Sequence, residues 1–171
     1  MADSEWLSSS VEETIAIGRQ LGGRLRPPVL VYLTGELGAG KTALAKGIVS
    51  GLGAAGEEEV TSPTFTLVHA FHNRQTVYHV DLYRVMNFRD LETLGLEDVL
   101  AQPAIVLIEW AEKFTLRSDW PVVRIHLDHA GEDRRRIRVE DSDGVLSRAE
   151  VRAPRCRRKA ADDSSERKER T

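Results

Sequence analysis

The chain has 171 residues, 41% hydrophobic and 30% charged, with a formal net charge of −3 and a single cysteine, Cys156. Such values describe one globular domain with room for one sizeable core and none for a separate substrate domain, and they exclude an internal disulfide framework and, since no apolar run approaches roughly 20 residues, a membrane span. The charge is uneven, with 9 Lys and Arg against 5 Asp and Glu in residues 148–171 but 15 against 22 in residues 1–147, and an acidic body is not the basic face of a protein that grips nucleic acid by itself.

The segment "MADSEWLSSS" lacks the basic flank and apolar core of a signal peptide, so a cytoplasmic location without membrane attachment is expected. The first helix starts on a capping-box pattern, Ser10 with Glu13. Val11, Ile15, Ile17, Leu21 and Leu25 supply its apolar side, and Gly22, Gly23 and the pair Pro27-Pro28 are read as its end. "PVLVYL" follows as a buried strand. After a glycine-rich loop, Leu44, Ile48 and Leu52 recur at helical spacing, closed by Gly53.

"AAGEEE" is a polar connection at residues 54–59. Two strands are expected next, Phe65 to Phe71 and Thr76 to Asp81, joined by the turn His72 to Gln75. "DLETLGLEDVL", residues 90–100, is a helical stretch interrupted by Gly95, and "AIVLIEW", residues 104–110, is a buried strand whose first charge, Glu109, falls near its C-terminal end. "VVRIHLD" and "RRRIRVE" alternate as strands around "HAGED", and "DSDG" is a turn. The expected organisation is one domain over residues 1–146 and a disordered basic tail over 147–171.

The loop carries the strongest chemistry. Gly35, Glu36, Leu37, Gly38, Ala39, Gly40, Lys41 and Thr42 make the full phosphate-loop pattern, placed between strand and helix as that motif requires. Glycines let backbone N–H groups turn inward to cradle an anion, a lysine brings a mobile positive charge to the outer phosphates, and a threonine hydroxyl binds magnesium. Nucleotide binding is therefore the starting point, and a magnesium ion needs a second, acidic contributor at a neighbouring strand end.

Two acids qualify, Asp81 and Glu109. Glu109 has the stronger context, after a continuous apolar run, while Asp81 is open to holding the ion's water shell or orienting the attacking water. Thr64 in "TSPTF" lies on the loop between helix and strand where switch segments sense a γ-phosphate, with Pro63 stiffening it. His69, His72 and His79 lack accompanying cysteines and read as satisfied or solvated rather than metal ligands. Trp110 is either core or a wall of the nucleotide site.

Guanine specificity is unsupported, because an Asn-Lys-x-Asp element is missing from the sequence. A small-molecule kinase needs an arginine-rich lid and an acceptor pocket. Little chain remains for either, Arg84 and Arg89 being the nearest candidates. What remains is an ATP hydrolase with few parts of its own, whose missing transition-state charge a partner can supply, an effect of about 10³ to 10⁵ in rate.

The order and spacing of "GELGAGKT", "TSPTFTLV", "HVDLYR", "LGLED" and "IEWAEKF" closely resemble the TsaE (YjeE) family of bacterial P-loop ATPases, over roughly Ser10 to Glu140. The resemblance implies an α/β P-loop NTPase fold, a mostly parallel central sheet flanked by helices with an antiparallel hairpin after the P-loop helix. It implies ATP and Mg²⁺ as cofactors, with residues Gly35 to Ala43 on ATP, Lys41 on the phosphates, Thr42 and Glu109 on the metal, and Thr64 near the γ-phosphate. Asp81 matches an acidic residue required for activity, and Trp110 a tryptophan beside the nucleotide.

The implied partners are TsaD and TsaB, as a heterodimer on which such proteins dock, with tRNA met only through that complex. There TsaD places a threonylcarbamoyl group on the adenosine next to the anticodon of tRNAs reading codons that begin with A, and hydrolysis by the TsaE-like partner resets the complex between rounds. A nucleotide-dependent docking module with incidental hydrolysis, and a small-molecule P-loop kinase, are the alternatives. Departures from the family pattern are Ala43, in place of a second hydroxyl residue, and Lys113-Phe114, in place of arginine and leucine.

Overall fold

The computed structural model describes residues 4–148. In chain order the elements are β1 (Ser4–Ser8), α1 (Val11–Arg24), β2 (Val29–Thr34), α2 (Lys41–Gly51), β3 (Val68–His72), β4 (Thr76–Asp81), α3 (Phe88–Glu92), α4 (Leu96–Val99), β5 (Ile105–Glu109), β6 (Val122–His129), β7 (Arg135–Glu140) and α5 (Val145–Arg148). β2 and β5 are apolar on both faces, Val29 to Val31 and Ile105 to Ile108 being buried, which suits only the centre of a covered parallel sheet. That is where they lie. The strand order is β1-β7-β6-β2-β5-β4-β3, with β6, β2, β5 and β4 parallel to one another. β3 pairs antiparallel with β4, and β7 and β1 close the other edge antiparallel. The expected hairpin after the P-loop helix is therefore β3–β4.

One face of the sheet packs on α1 and α2 through Val31, Leu33, Ile105 and Leu107 against Leu21, Leu44, Ile48 and Val49. The other packs Leu30, Val80, Val106 and Ile108 under Leu91 and Leu96 of α3 and α4 and under Phe114. Ser10 caps α1 as its spacing predicts, accepting from the Glu13 amide at 3.1 Å, while Glu13 reaches back to the Ser9 amide at 2.6 Å.

The glycines of α1 do something else than end it. The helix runs past Gly22 and Gly23 to Arg24, and a Cβ at Gly22 would stand 2.3 Å from the Ile48 carbonyl oxygen of α2. Gly18, Gly47 and Gly51 are as tightly met: a Cβ on Gly47 would lie 2.1 Å from the Ile15 carbonyl oxygen. The two helices thus touch backbone to backbone, and no side-chain movement can make room. Gly47→Val should cost about 3 kcal/mol by overpacking, which for a domain of this size is a thermal midpoint lower by roughly 10 °C in a calorimetric melt.

Several expected bounds shift. The strand expected from Phe65 begins at Val68, because Pro63 to Leu67 form a turn closed by the Leu67 amide on the Pro63 carbonyl at 2.6 Å, with Leu67 at φ 64°. Phe65 is 86% exposed in consequence. The strand expected to reach Trp110 ends at Glu109, since Trp110 takes a left-handed φ of 61°. The stretch expected over residues 90–100 is two short helices, the first from Phe88 to Glu92 and the second started by Gly95 at φ 63°. Val11, counted on the apolar side of α1, is exposed.

β1 was not expected. Its five residues pair with Arg135 to Val139 of β7, packing Trp6 on the core and leaving Leu7 53% exposed, a pattern too short to read as alternation. α5 carries the chain through Ser147 to Arg148, two residues into the stretch expected as tail; the rest of that expectation lies outside the described residues. Among those described, no helix is long and apolar enough to cross a membrane.

Candidate functional site

Parallel strands deliver their C-terminal residues to one edge of the sheet, and the chemistry collects there. β2 ends at the loop 35–40, β4 at Asp81 and β5 at Glu109, with Asp81 and Glu109 opposite each other in register. The edge is laced by backbone: the Leu82 amide donates to the Glu109 carbonyl at 3.1 Å and the Trp110 amide to the Leu33 carbonyl at 3.0 Å. The result is a cleft of about 350 Å³ lined by Leu37, Gly38, Gly40, Lys41, Thr42, Ala43, Ser62, Thr64, Asp81, Tyr83, Glu109 and Trp110. Most of the residues expected from sequence meet in it. Gly35 and Glu36 sit just behind, with their carbonyls on Lys41, and Ala39 makes the loop's tight turn through its amide on the Glu36 carbonyl at 3.2 Å.

The loop is shaped by glycine. Gly35 has φ 131°, and a Cβ there would stand 2.2 Å from the Leu127 carbonyl oxygen, so the loop can lie this close to β6 only without a side chain. Gly40, at φ 103°, opens α2, whose N-terminus has no side-chain cap and no acid in its first turn. The leading amides of a helix lack intrahelical partners and carry its positive dipole end, so this terminus suits an anion.

Lys41 is buried at the base of the cleft. Its Nζ donates to the carbonyls of Gly35 at 2.6 Å and Glu36 at 2.8 Å and lies 3.8 Å from the centre of the Trp110 ring. Burial pushes its pKa below the ordinary lysine range, against the nearby charges of Glu109, Glu112 and Asp81, which pull it up. Trp110, half-buried with Tyr83 tilted on it at 5.0 Å between centroids, lines the cleft and also packs against the core cluster, so it takes both of the places that spacing left open.

Two acids divide the edge between them. The Thr42 hydroxyl reaches both oxygens of Glu109 at 3.1 Å, so a P-loop hydroxyl and a carboxylate converge on one point under the helix terminus. A hydroxyl and a carboxylate are oxygen donors of the kind Mg²⁺ takes, and one acid with retained water is its usual protein share. Asp81 faces the other way. Its Oδ2 accepts from Ser62 and Thr64, both at 2.7 Å, and its Oδ1 from the Tyr83 amide at 2.8 Å. Thr64, expected to sense a phosphate, here lines the cleft with its hydroxyl held by Asp81.

His79 went unsingled among three histidines. It is 0% exposed on β4 and its Nε2 lies 2.8 Å from Glu109 Oε1. Its spacing two residues before Asp81 was the available signal, since alternate strand residues share a face. Lys113, one of the departures from the family pattern, donates to the carbonyls of Leu82 at 2.9 Å and Tyr83 at 2.7 Å and so ties down the turn after β4. Phe114, the other, packs edge-on against Phe88 at 5.3 Å.

A family model described as "Threonylcarbamoyl adenosine biosynthesis protein TsaE" matches residues 8–137. Among similar curated proteins, the tRNA threonylcarbamoyladenosine biosynthesis protein TsaE of Treponema pallidum is 36% identical over 133 residues, 78% of this chain and 97% of its own length. The TsaE of Bacillus subtilis is 33% identical over 80% of this chain and 85% of its own. A crystal structure of Bacillus subtilis YdiB superposes with a TM-score of 0.64 at 28% identity, covering 87% of this chain and 97% of that one. With a model match over residues 8–137 and relatives above 30% identity over most of their length, the chain belongs to the TsaE family of threonylcarbamoyl adenosine biosynthesis proteins.

Proposed function

We propose that this protein is a magnesium-dependent ATPase that docks on a TsaD–TsaB heterodimer in the cytoplasm and supports repeated rounds of threonylcarbamoylation of the adenosine next to the anticodon in tRNA. The observation that carries the reading is the convergence of Thr42 and Glu109 at 3.1 Å beneath the uncapped start of α2, with Lys41 alongside. Backbone amides of residues 36–43 and Lys41 would hold the phosphates, and Thr42 and Glu109 the ion. When bound, Mg²⁺ neutralises charge developing on the transferred phosphoryl group. Asp81 and the Ser62 to Phe65 loop would orient the attacking water, and Trp110 would shield Lys41 from solvent.

Lys41 is the sole cation among the residues that line the cleft. A transition state that spreads charge over three oxygens needs more, and a cation supplied by a partner contributes about 10³ to 10⁵ in rate. Leu37, 70% exposed at the cleft, and Phe65 on the neighbouring loop offer apolar surface for that partner. The acidic body then needs no tRNA grip of its own.

Phosphate release from ATP by the purified protein is expected to be slow, and to rise by at least about 10³-fold when TsaB and TsaD are added. An unchanged rate on addition would sink partner completion. The docking-module reading draws on the Ser62 and Thr64 hydroxyls being held by Asp81, a segment whose order nucleotide occupancy alone would change. It predicts modification without net phosphate release.

A further inference from the structure

We propose that His79 is a positioning residue for Glu109, fixing the carboxylate on which the magnesium site depends; this rests on the ATPase reading above. β4 and β5 run parallel with Asp81 opposite Glu109 and His79 opposite Leu107, so His79 stands diagonally behind Glu109 on the same sheet face. From there its Nε2–H donates to Oε1 at 2.8 Å. Glu109 is 2% exposed, so water does not compete for that oxygen. The carboxylate is held from behind by the imidazole and meets Thr42 in front.

A packing role does not account for a histidine at this position. The same face of the two strands carries Val77, Ile105 and Leu107 in the core cluster, an apolar row that a further aliphatic side chain would continue. His79 interrupts the row at a cost, because its Nδ1 is buried without a hydrogen-bond partner among the described residues. What the ring gains by its presence is the single bond to Glu109. Carboxylates that hold metal are themselves oriented by such bonds, and loss of one typically weakens metal affinity 10- to 100-fold.

The test uses the full chain and a fluorescent ATP analogue, titrated with Mg²⁺, with Mn²⁺ binding followed by electron paramagnetic resonance as a second readout. His79→Leu should move the Mg²⁺ midpoint for nucleotide binding about 10- to 100-fold higher while leaving metal-free nucleotide binding unchanged. His79→Gln, whose amide nitrogen reaches near the place of Nε2, should restore most of the shift. His79→Asn, whose amide stops near Nδ1, should not. If His79→Leu fails to fold, the glutamine and asparagine variants decide alone: equal midpoints in the two overturn the proposal, as does a wild-type midpoint in His79→Leu. A wild-type protein that binds nucleotide with neither a Mg²⁺ midpoint nor Mn²⁺ uptake would instead overturn the magnesium site of the ATPase reading, and this role with it.

Discussion

Lys41→Ala is expected to lower partner-stimulated ATP hydrolysis by about 10²- to 10³-fold, and to weaken ATP binding, while the protein keeps its fold. The side chain is held by the Gly35 and Glu36 carbonyls and the Trp110 ring rather than by a dedicated carboxylate partner, so its ammonium is aimed along the loop where phosphate would lie. Removing it deletes a preorganised charge that costs no reorganisation during reaction. Stability should change little, because the desolvation that lowers its pKa is relieved as its two bonds are lost. That same lowered pKa gives a direction with pH: the ammonium gives up its proton sooner than an exposed lysine on the way to alkaline pH, and ATP affinity should fall with it. Full hydrolysis and undiminished support of tRNA modification by Lys41→Ala would refute the nucleotide role.

Asp81→Asn should bind ATP as the wild type does and lose about 10²-fold or more in hydrolysis. The substitution keeps an acceptor for the Tyr83 amide but turns an NH₂ group toward Ser62 and Thr64, whose hydroxyls now donate to Oδ2 at 2.7 Å. Both the negative charge and the hold on the 62–67 loop are lost, whereas the hydrogen bonds of the phosphate loop, of Lys41 and of the Thr42–Glu109 pair involve other groups. The consequence separates the two functional readings. An ATPase that resets its partners would carry modification through a first round and stall, and a docking module would continue. Counting modified tRNA per complex over time distinguishes them, and repeated turnover by Asp81→Asn would favour the module.

How far the sequence reaches is clear from where its readings met the structure. The P-loop was legible because its shape is local: glycines at 35, 38 and 40 set backbone angles, and Lys41 and Thr42 follow at fixed offsets in one turn of helix. The buried strands were legible because β2 and β5 are apolar on both faces, which only central parallel strands tolerate. Family membership rests on motif order along the chain, and the matched region agrees with it.

Contacts between distant segments were not legible. Gly22 and Gly23 read as a helix end because a glycine's local preference is all that a single chain stretch displays, yet Gly18 and Gly22 face Gly47 and Ile48 across an interhelical seam where any Cβ would strike backbone. Phe65 read as a strand residue because aromatics favour strands, yet the turn closed by Leu67 carries it into solvent. His79 looked like one of three scattered histidines until the β4–β5 register set it behind Glu109. The sequence by itself determined the glycine-rich P-loop, the central strands and the acids at their ends, since each is written in neighbouring residues. The helix seam, the clamp of Asp81 on Ser62 and Thr64, and the imidazole on Glu109 were decided by tertiary structure alone, because each joins groups between 17 and 32 residues apart whose meeting depends on how helices and strands pack.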